Sequence, residues 1–364
     1  MEKTSLHILV CPLDWGLGHA TRCIPIIREA LRQGHKVSIA GEGRSQALLK
    51  KEFPELTHID LKGFSPTYVK GDNLPLKLVL LSPQFALRIY NELKQIKKIV
   101  KEHAIDIVFS DNRYGARTKD CRCIVMSHQI MIKTPDAVRF SEKFLYSLSK
   151  KLLNKFDACW IPDYAEAPGL SGDLSHKYTT PNNTTYVGPL SRFTLDGESK
   201  KKEKTYAISA IISGQEPQRS ILENILKKQL KELNVPAIIV GGKTESKNEE
   251  CIEEGKLKIM NYASSEEIKD IICRSNIVIC RSGYSSVMDL QALGSKALLI
   301  ATPGQTEQIY LAEMLKENKI AYCQTQQKLN LKADIPEALS YKGFSPDNTS
   351  EMLSSAIKNI NIKQ

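Results

Sequence analysis

Small polar residues, glycines and one carboxylate lie between two apolar segments, 277–280 and 297–301, in a pattern that suits a nucleotide. Turn residues bound each apolar segment, which predicts two buried strands, and the sequence between them has helical spacing. The predicted turn and first helical turn contain Ser282, Gly283, Ser285 and Ser286. Free backbone N–H groups and the helix dipole favour a phosphate there. Asp289 lies one helical turn further on, where a carboxylate can accept two hydrogen bonds from a ribose diol.

The start of the chain carries a second glycine-rich turn. An apolar strand is predicted over 6–12, the turn over 14–22, and a helix followed by another strand over 23–40. Gly16 and Gly18 permit a tight turn and a close approach of the backbone to a ligand. The turn has two glycines and no third at the position that dinucleotide binding requires, so we expect no nicotinamide cofactor.

Together these segments resemble glycosyltransferases of the GT-B class. CRSG at 280–283, the acidic residue 289, Gly294 and TEQ at 306–308 resemble the donor-binding segment of inverting members. The resemblance is strongest to MurG-type lipid-linked N-acetylglucosaminyltransferases and extends more distantly to UDP-glycosyltransferases. It implies an α/β enzyme with two Rossmann-like, doubly wound domains facing across a cleft. It also implies transfer of a hexose or N-acetylhexosamine from a UDP-sugar to an acceptor hydroxyl, without a cofactor. A lipid-linked precursor of a cell-envelope glycan is the acceptor that MurG-type members suggest.

The resemblance also implies roles for individual residues. In the resembled enzymes the glycine–histidine pair, here Gly18 and His19, places a general base in the cleft between the domains, and Gly18 is a predicted donor contact. UDP-glycosyltransferases orient that histidine with an aspartate at the end of a comparable strand, and Asp111 follows the predicted strand 106–110. His19 and Asp111 are therefore the predicted catalytic residues.

Two further loops correspond to donor contacts. Tyr262 and Ala263 match the loop that pairs with uracil and covers the base or ribose, while a helix capping box beginning at Ser264 or Ser265 explains the same residues structurally. Glu307 and Gln308 match the pair that binds sugar hydroxyls, with Gln305 beside them. A capping arrangement around Thr306 is the structural alternative.

The remaining candidates follow from position at strand ends. Gly214 and Arg219 belong to a turn after the predicted strand 206–213, where N–H groups and a guanidinium can hold a diphosphate. An ordinary strand–helix turn with a surface arginine is the alternative. Arg22, Arg113 and His128 are the predicted acceptor contacts. Solvent exposure explains Arg22 equally simply, and a hydrogen-bonded or exposed ring explains His128.

The reaction class is narrowed by residues that the chain lacks. No Asp-x-Asp sequence occurs, which argues against a metal-held diphosphate, and Cys121 and Cys123 lack the partners and spacing of a zinc site, so no metal is expected. Ala297 stands eight residues after Asp289, where retaining GT-B enzymes carry a second glutamate. Inversion is therefore favoured.

Charge and composition indicate the surroundings. Residues 1–195 carry a net charge of +9 and residues 196–364 only +1, and a basic field attracts anionic lipids or phosphorylated acceptors. No nucleic-acid-binding motif accompanies the charge. Nine cysteines, several within apolar strands, and the lack of a long apolar run predict a cytoplasmic protein, with peripheral contact at the inner membrane face through the basic first domain. An apolar stripe beside lysines over 138–155 fits either the core or such a membrane surface.

The predicted organisation is an acceptor-binding domain over 1–190, a linker over 191–204, a nucleotide-sugar-binding domain over 205–345 and a C-terminal helix within 346–364 that packs back on the first domain. Long helices are expected over 76–103 and 138–154. Three other functions remain open: a non-hydrolysing UDP-sugar 2-epimerase, a nucleotide-sugar-binding protein without catalysis, and a membrane-surface scaffold. UDP release with and without an acceptor separates the first two from a transferase, and a scaffold leaves the glycine–histidine turn unexplained.

Overall fold

The computed structural model describes residues 5–63, 82–200, 202–243, 251–346 and 350–360. The chain divides into two compact units, one formed by Met1–Leu190 with Thr349–Gln364 and the other by Ser191–Asn348. Each unit contains a mainly parallel sheet flanked by helices, so the predicted α/β fold with two Rossmann-like domains is confirmed. Within the described ranges, no helix is both long and apolar enough to cross a membrane.

The first unit is built on a parallel sheet. Its strands are β1 (His7–Pro12), β2 (Lys36–Gly41), β3 (Thr57–Asp60), β4 (Ile107–Asp111), β5 (Arg122–Met126), β6 (Ala158–Ile161) and β7 (Thr184–Tyr186). Their order is β3-β2-β1-β4-β5-β6-β7. Because the order reverses between β1 and β4, the carboxyl ends of these two strands are where an open α/β sheet binds ligands.

Helices cover both faces of this sheet. They are α1 (Leu17–Arg32), α2 (Gly43–Glu52), α3 (Ser82–Glu102), α4 (Glu142–Leu153) and the short α5 (Asp173–His176). Strands buried on both faces are mainly apolar, and β1 is buried along its whole length with apolar residues after His7. The core on one face includes Leu9, Val108, Val125 and Cys159, packed with Ile96 of α3.

Two predicted helices of the first unit have different limits in the structure. Within the described residues, the helix expected over 76–103 is α3, and residues 76–81 lie outside the described part. The helix expected over 138–154 begins instead with a 3-10 turn, Asp136–Ser141, and the α-helix starts at Glu142. The reason is the backbone of Val138, whose φ of −126° and ψ of 22° interrupt the helical path.

The second unit repeats the architecture with one antiparallel edge strand. Its strands are β8 (Tyr206–Ile211), β9 (Ala237–Val240), β10 (Cys251–Glu254), β11 (Leu257–Met260), β12 (Ser275–Cys280), β13 (Ala297–Ala301) and β14 (Tyr322–Thr325). They are ordered β10-β11-β9-β8-β12-β13-β14, and only the β10–β11 pair is antiparallel among them. The carboxyl ends of β8 and β12 are neighbours at the reversal of strand order.

Six helices belong to the described part of the second unit. They are α6 (Gly197–Lys200), α7 (Gln218–Leu233), α8 (Ser265–Cys273), α9 (Tyr284–Leu293), α10 (Thr306–Glu317) and α11 (Leu331–Ser340). The segment 191–204, expected to be a linker, contains α6 and lies within the second unit. The sequence prediction did not include β10, β14 or α11.

The C-terminal helix α12 (Ser350–Lys358) belongs to the first unit. It packs on α1, where Arg32 donates to Ser354 Oγ at 3.1 Å and Gln33 Nε2 donates to the Ser354 carbonyl at 2.9 Å. Leu353 and Ile357 are buried on its inner side.

Candidate active site

Four polar side chains meet at the carboxyl ends of β1, β4 and β5 in the first unit. Gly16 precedes α1 with a φ of 137°, a conformation that favours glycine, and α1 then presents His19 and, one turn later, Arg22. Asp111 is the last residue of β4, and His128 follows β5 by two residues. The turn and the two strand ends therefore bring together residues that are about a hundred positions apart in the chain.

The contacts within this His19 cluster (His19, Arg22, Asp111, His128) are direct. His19 Nδ1 lies 3.0 Å from Asp111 Oδ2, and Arg22 Nη2 lies 2.8 Å from the same ring nitrogen. Arg22 Nε lies 2.9 Å from both carboxylate oxygens of Asp111, and its Nη1 lies 2.9 Å from His128 Nδ1. The structure thus brings together the residue predicted as a base, the aspartate predicted to orient it, and two of the three predicted acceptor contacts.

Burial and charge keep His19 uncharged near neutral pH. Burial is the largest cause that lowers its pKa, the Arg22 charge lowers it further, and Asp111 only partly opposes both. Burial alone would raise the pKa of Asp111, but Arg22 and His19 outweigh burial and hold that pKa below its usual value. The cluster therefore contains a carboxylate beside a neutral imidazole, which is the combination that general-base catalysis requires.

Arg113, the third predicted acceptor contact, lies outside this cluster. Its side chain is buried, Nε lies 2.5 Å from Glu92 Oε1, and its other nitrogens donate to the carbonyls of Pro12 and Leu61. Glu92 Oε2 also accepts from the Gly115 N–H at 2.9 Å. These bonds join α3 to the ends of β1 and β4, so the geometry assigns Arg113 to support of the sheet edge.

In the second unit, the turn after β12 has the predicted form. Gly283 immediately precedes α9, and Ser285 and Ser286 lie in the first turn of this helix. Ser282 is fully buried and its hydroxyl donates to the Gln308 carbonyl at 2.7 Å. Ser282 therefore fixes the turn, while the helix N-terminus retains the capacity for an anion.

Asp289, predicted to bind a ribose, already holds two groups of its own unit. Ser191 Oγ donates to Oδ1 at 2.7 Å, and Arg192 Nε lies 3.4 Å from Oδ2. Burial raises the pKa of Asp289 overall, against the opposing effects of Arg192 and Ser191. The Arg192 backbone N–H also donates to Asp289, so a ribose diol at Asp289 would share the carboxylate with the contacts of the segment 191–192.

The turn after β8 combines an open backbone with an engaged arginine. Gly214 has a φ of 110°, and no heavy atom lies within 4 Å of the position that a Cβ would occupy. Arg219 Nη2 lies 2.7 Å from Glu216 Oε1, and Nη1 donates to the Gly242 carbonyl at 3.3 Å. An anion that binds Arg219 must compete with Glu216.

The loop after β11 contains the capping box that the sequence suggested. Ser264 precedes α8, its hydroxyl accepts from the Glu267 N–H at 3.3 Å, and Glu267 Oε2 accepts from the Ser264 N–H at 2.7 Å. Ala263 is buried and Tyr262 partly buried directly before it. The capping box thus fixes the backbone of the two residues that the resemblance assigns to the base.

The predicted sugar contacts lie at the start of α10. Gln305 precedes the helix, and its side chain accepts from Gln308 Nε2, while Gln308 Oε1 accepts from the Thr302 N–H at 2.9 Å. Glu307 occupies the first turn. Gln308 thus contacts Ser282, Thr302 and Gln305. The residue at the N-cap of α10 is Gln305, whereas the structural alternative expected a cap around Thr306.

Sequence reasoning missed Arg281, a buried cation at the centre of the second unit's edge. It is 1% exposed, and Nη2 lies 2.7 Å from both the Gln218 carbonyl and Gln326 Oε1. Burial lowers the pKa of Arg281 to about 10. The available signal was a charged residue placed directly between the apolar strand β12 and the glycine turn.

Two protein-family models match the chain, one in each half. Residues 214–361 match the glycosyltransferase family 28 C-terminal domain, and residues 7–145 match glycosyl transferase family 1. An uncharacterised glycosyltransferase of Methanosarcina acetivorans is 24% identical over 340 residues, covering 86% of this chain and 84% of the relative. The UDP-N-acetylglucosamine--N-acetylmuramyl-(pentapeptide) pyrophosphoryl-undecaprenol N-acetylglucosamine transferase of Caldanaerobacter subterraneus is 22% identical, covering 92% and 90%.

Solved structures extend the likeness of fold to nearly the whole chain. MurG of Acinetobacter baumannii superposes with a TM-score of 0.56 at 12% identity, covering 98% of this chain and 100% of that one. The glycotransferase of kitacinnamycin gives 0.61 at 14% identity, covering 98% and 95%. Spinosyn rhamnosyltransferase complexed with thymidine diphosphate gives 0.59 at 15% identity, covering 97% and 96%.

Both units therefore belong to the glycosyltransferases of the GT-B class. The chain is a glycosyltransferase whose residues 214–361 match the family 28 C-terminal domain, and it resembles MurG and the UDP-glycosyltransferases. The sequence prediction of this class is confirmed. The matches give no support to the epimerase alternative.

Proposed function

We propose that this glycosyltransferase moves a hexose or N-acetylhexosamine from a UDP-sugar to an acceptor hydroxyl with inversion at the anomeric carbon. The observation that carries the proposal is the contact of His19 Nδ1 with Asp111 Oδ2 at 3.0 Å, on a ring that burial keeps neutral. A histidine hydrogen-bonded in this way through one nitrogen can take a proton with the other.

In the proposed reaction His19 Nε2 takes the proton of the acceptor hydroxyl. The acceptor oxygen forms a bond to the anomeric carbon while the bond from that carbon to the diphosphate oxygen breaks, and UDP leaves with the electron pair. The turns after β8 and β12 and the α9 N-terminus supply N–H groups for the diphosphate. Residue 297, an alanine at the start of β13, provides no second carboxylate of the kind that retention uses.

The proposed donor contacts lie within the second unit. Asp289 binds the ribose diol, Tyr262 and Ala263 lie against the base, and Gly214, Gly283, Ser285 and Ser286 surround the diphosphate. Gln305, Glu307 and Gln308 face the sugar, and Arg219 exchanges Glu216 for a phosphate oxygen. Outside the second unit, one further donor contact is proposed at Gly18, on the turn that carries His19. On the acceptor side, His128 lies beside the base.

Nucleotide preference tests the donor class. We expect UDP to raise the melting temperature of the full chain more than dTDP or GDP does at the same concentration, because the nucleotide that binds most tightly stabilises the folded state most. A ligand at 100 times its dissociation constant adds about 2.7 kcal/mol to the free energy of unfolding. Differential scanning fluorimetry over a concentration series measures this. If dTDP or GDP gave the larger shift, that nucleotide and not UDP would be the donor nucleotide. The absence of a shift with all three nucleoside diphosphates would contradict a nucleotide-sugar site.

The acceptor that we propose is lipid-linked, and a surface of the first unit supports it. Three apolar side chains spaced four residues apart are exposed: Phe140 by 86%, Phe144 by 70% and Leu148 by 47%. Exposed cations flank them at Arg139, Lys143, Lys151 and Lys155. The segment 138–155 therefore has two faces. Ser149 and Leu153 are buried on one face, and Phe140, Phe144 and Leu148 are exposed to solvent on the other. Apolar side chains ringed by lysines fit an anionic bilayer surface.

Sedimentation with vesicles tests this surface. The full chain should bind phosphatidylglycerol-containing vesicles at low salt, release them as salt screens the attraction, and bind neutral vesicles weakly. Phe140→Ser with Phe144→Ser should reduce binding at least ~10-fold, because burial of a large apolar side chain contributes about 1.5–3 kcal/mol. Ile221→Ser, which alters an exposed apolar residue of the second unit, is the matched control. Equal binding by all three proteins would favour an acceptor free in solution.

A further inference from the structure

The guanidinium of Arg22 contacts three groups at once. It is buried, and its Nη1 and Nη2 lie 2.9 Å from His128 Nδ1 and 2.8 Å from His19 Nδ1. Its Nε lies 2.9 Å from each oxygen of Asp111, and its Nη2 also donates to Asp111 Oδ1. A simple ion pair would require only the contacts with Asp111.

The guanidinium of Arg22 fixes the tautomer of neutral His128 and competes with Asp111 in setting the tautomer of His19. Arginine donates hydrogen bonds and cannot accept them, so the nitrogen of His128 that it faces must carry a lone pair, and the proton of a neutral His128 is on Nε2. His19 Nδ1 faces the same donor and also Asp111 Oδ2, which only accepts. Nδ1 of His19 can thus accept from Arg22 or donate to Asp111, but not both.

These two tautomers differ in their fitness as a base. When Nδ1 donates to Asp111, Nε2 has the lone pair that can take a proton from a hydroxyl. When Nδ1 accepts from Arg22, the hydrogen is on Nε2 and the ring cannot act as a base through that atom. The balance between Arg22 and Asp111 therefore sets the fraction of His19 that is ready to react.

We propose that Arg22 is a positioning residue that controls the tautomers of His19 and His128. The inference rests on the proposed function only in giving His19 the role of base. After His19 takes a proton, the neighbouring guanidinium charge destabilises the imidazolium, which favours loss of that proton and return of the neutral base. The charged and titratable groups that face His19 are Arg22 from its own helix, Asp111 from β4 and His128 from the segment after β5.

Nuclear magnetic resonance of the full chain with labelled histidines tests the inference without any substrate. In Arg22→Met we expect the His19 pKa to rise by about 1–3 units, the usual effect of one close charge. The nitrogen shifts should also move toward the Nδ1–H tautomer, and His128 should lose its fixed tautomer. Arg28→Met is the matched control, because Arg28 is on the same helix, is exposed and pairs with Glu52.

A second variant covers the case in which loss of the buried charge prevents folding. Arg22→Lys keeps a charge for Asp111 but cannot contact both rings and the carboxylate together, so the His128 tautomer should change while the His19 pKa rises less than in Arg22→Met. A folded variant of either kind with the wild-type His19 pKa and tautomers would overturn the inference. Where an acceptor is available, the acid limb of the UDP-release rate should move to higher pH in Arg22→Met. Shifted resonances in a protein without transferase activity would refute the proposed function and leave the role of Arg22 standing.

Discussion

His19→Ala should lower the rate of UDP release in the presence of an acceptor by about 10²- to 10⁴-fold, which is the usual contribution of a general base. His19 lies in the first unit, whereas the residues proposed to bind the donor, apart from Gly18, lie in the second. We therefore expect UDP affinity to stay within about twofold of the wild type. Coupled detection of released UDP, with the acceptor chosen by screening, measures the first quantity, and calorimetry measures the second.

The pH dependence of the same reaction follows from the sign of the pKa shift. The base works unprotonated, and burial together with Arg22 places the His19 pKa below 6.5. Activity should therefore persist as pH falls to 6.5 and decline only below it. Asp111→Asn should cause a smaller loss than His19→Ala, because it weakens the orientation of the base without removing it.

His58→Ala provides the control for the His19 substitution. His58 lies on β3 in the same unit, where Nε2 is 2.9 Å from the Phe53 carbonyl, and it makes no contact with the His19 cluster among the contacts of the described residues. It should retain wild-type activity. Full activity in a folded His19→Ala protein would exclude the proposed base even though the glycosyltransferase class would stand.

Local sequence pattern was sufficient for the elements that hold the site. β12, α9 and β13 were predictable because residues 277–280 of β12 and all of β13 are continuous apolar runs, and a glycine turn separates β12 from a helical pattern. Three elements that the sequence prediction omitted, β10, β14 and α11, lack a continuous apolar or helical pattern. All four residues of β10 are exposed, those of β14 are at most partly buried, and α11 contains Pro336 within it. Their positions depend on neighbouring elements more than on their own sequence.

The candidate site was predictable where it follows strand ends and not where it depends on distant pairing. His19 and Asp111 were expected together because UDP-glycosyltransferases, which this chain resembles, orient the histidine of this turn with an aspartate at the end of a comparable strand, and the structure has the two in contact. The pairing of Arg113 with Glu92 was not predictable, since Glu92 is on α3 and nothing local marks it as a partner. The same holds for Asp289 and Ser191, which are 98 positions apart.

Asp289→Ala should weaken UDP binding to the full chain by about 1.5–3 kcal/mol, the range for hydrogen bonds to a charged group. The substitution has two consequences, loss of a ribose contact and loss of internal contacts, because Asp289 also accepts from Ser191 and lies 3.4 Å from Arg192. Loss of these internal contacts alone would disturb the segment 191–192 without involving a ribose. Calorimetric titration with UDP measures the total effect.

Titration with 2′,3′-dideoxyuridine diphosphate isolates the part that belongs to the ribose. If Asp289 binds the diol, the wild type should lose affinity for the dideoxy compound, and Asp289→Ala should bind both compounds about equally, since the two changes remove the same interaction. Ser191→Ala removes the internal hydrogen bond while leaving the carboxylate, so it should bind UDP at least as well as the wild type. An equal loss of affinity for both nucleotides in Asp289→Ala would instead assign Asp289 to support of the segment 191–192, and the ribose would have to be held by another group of the second unit.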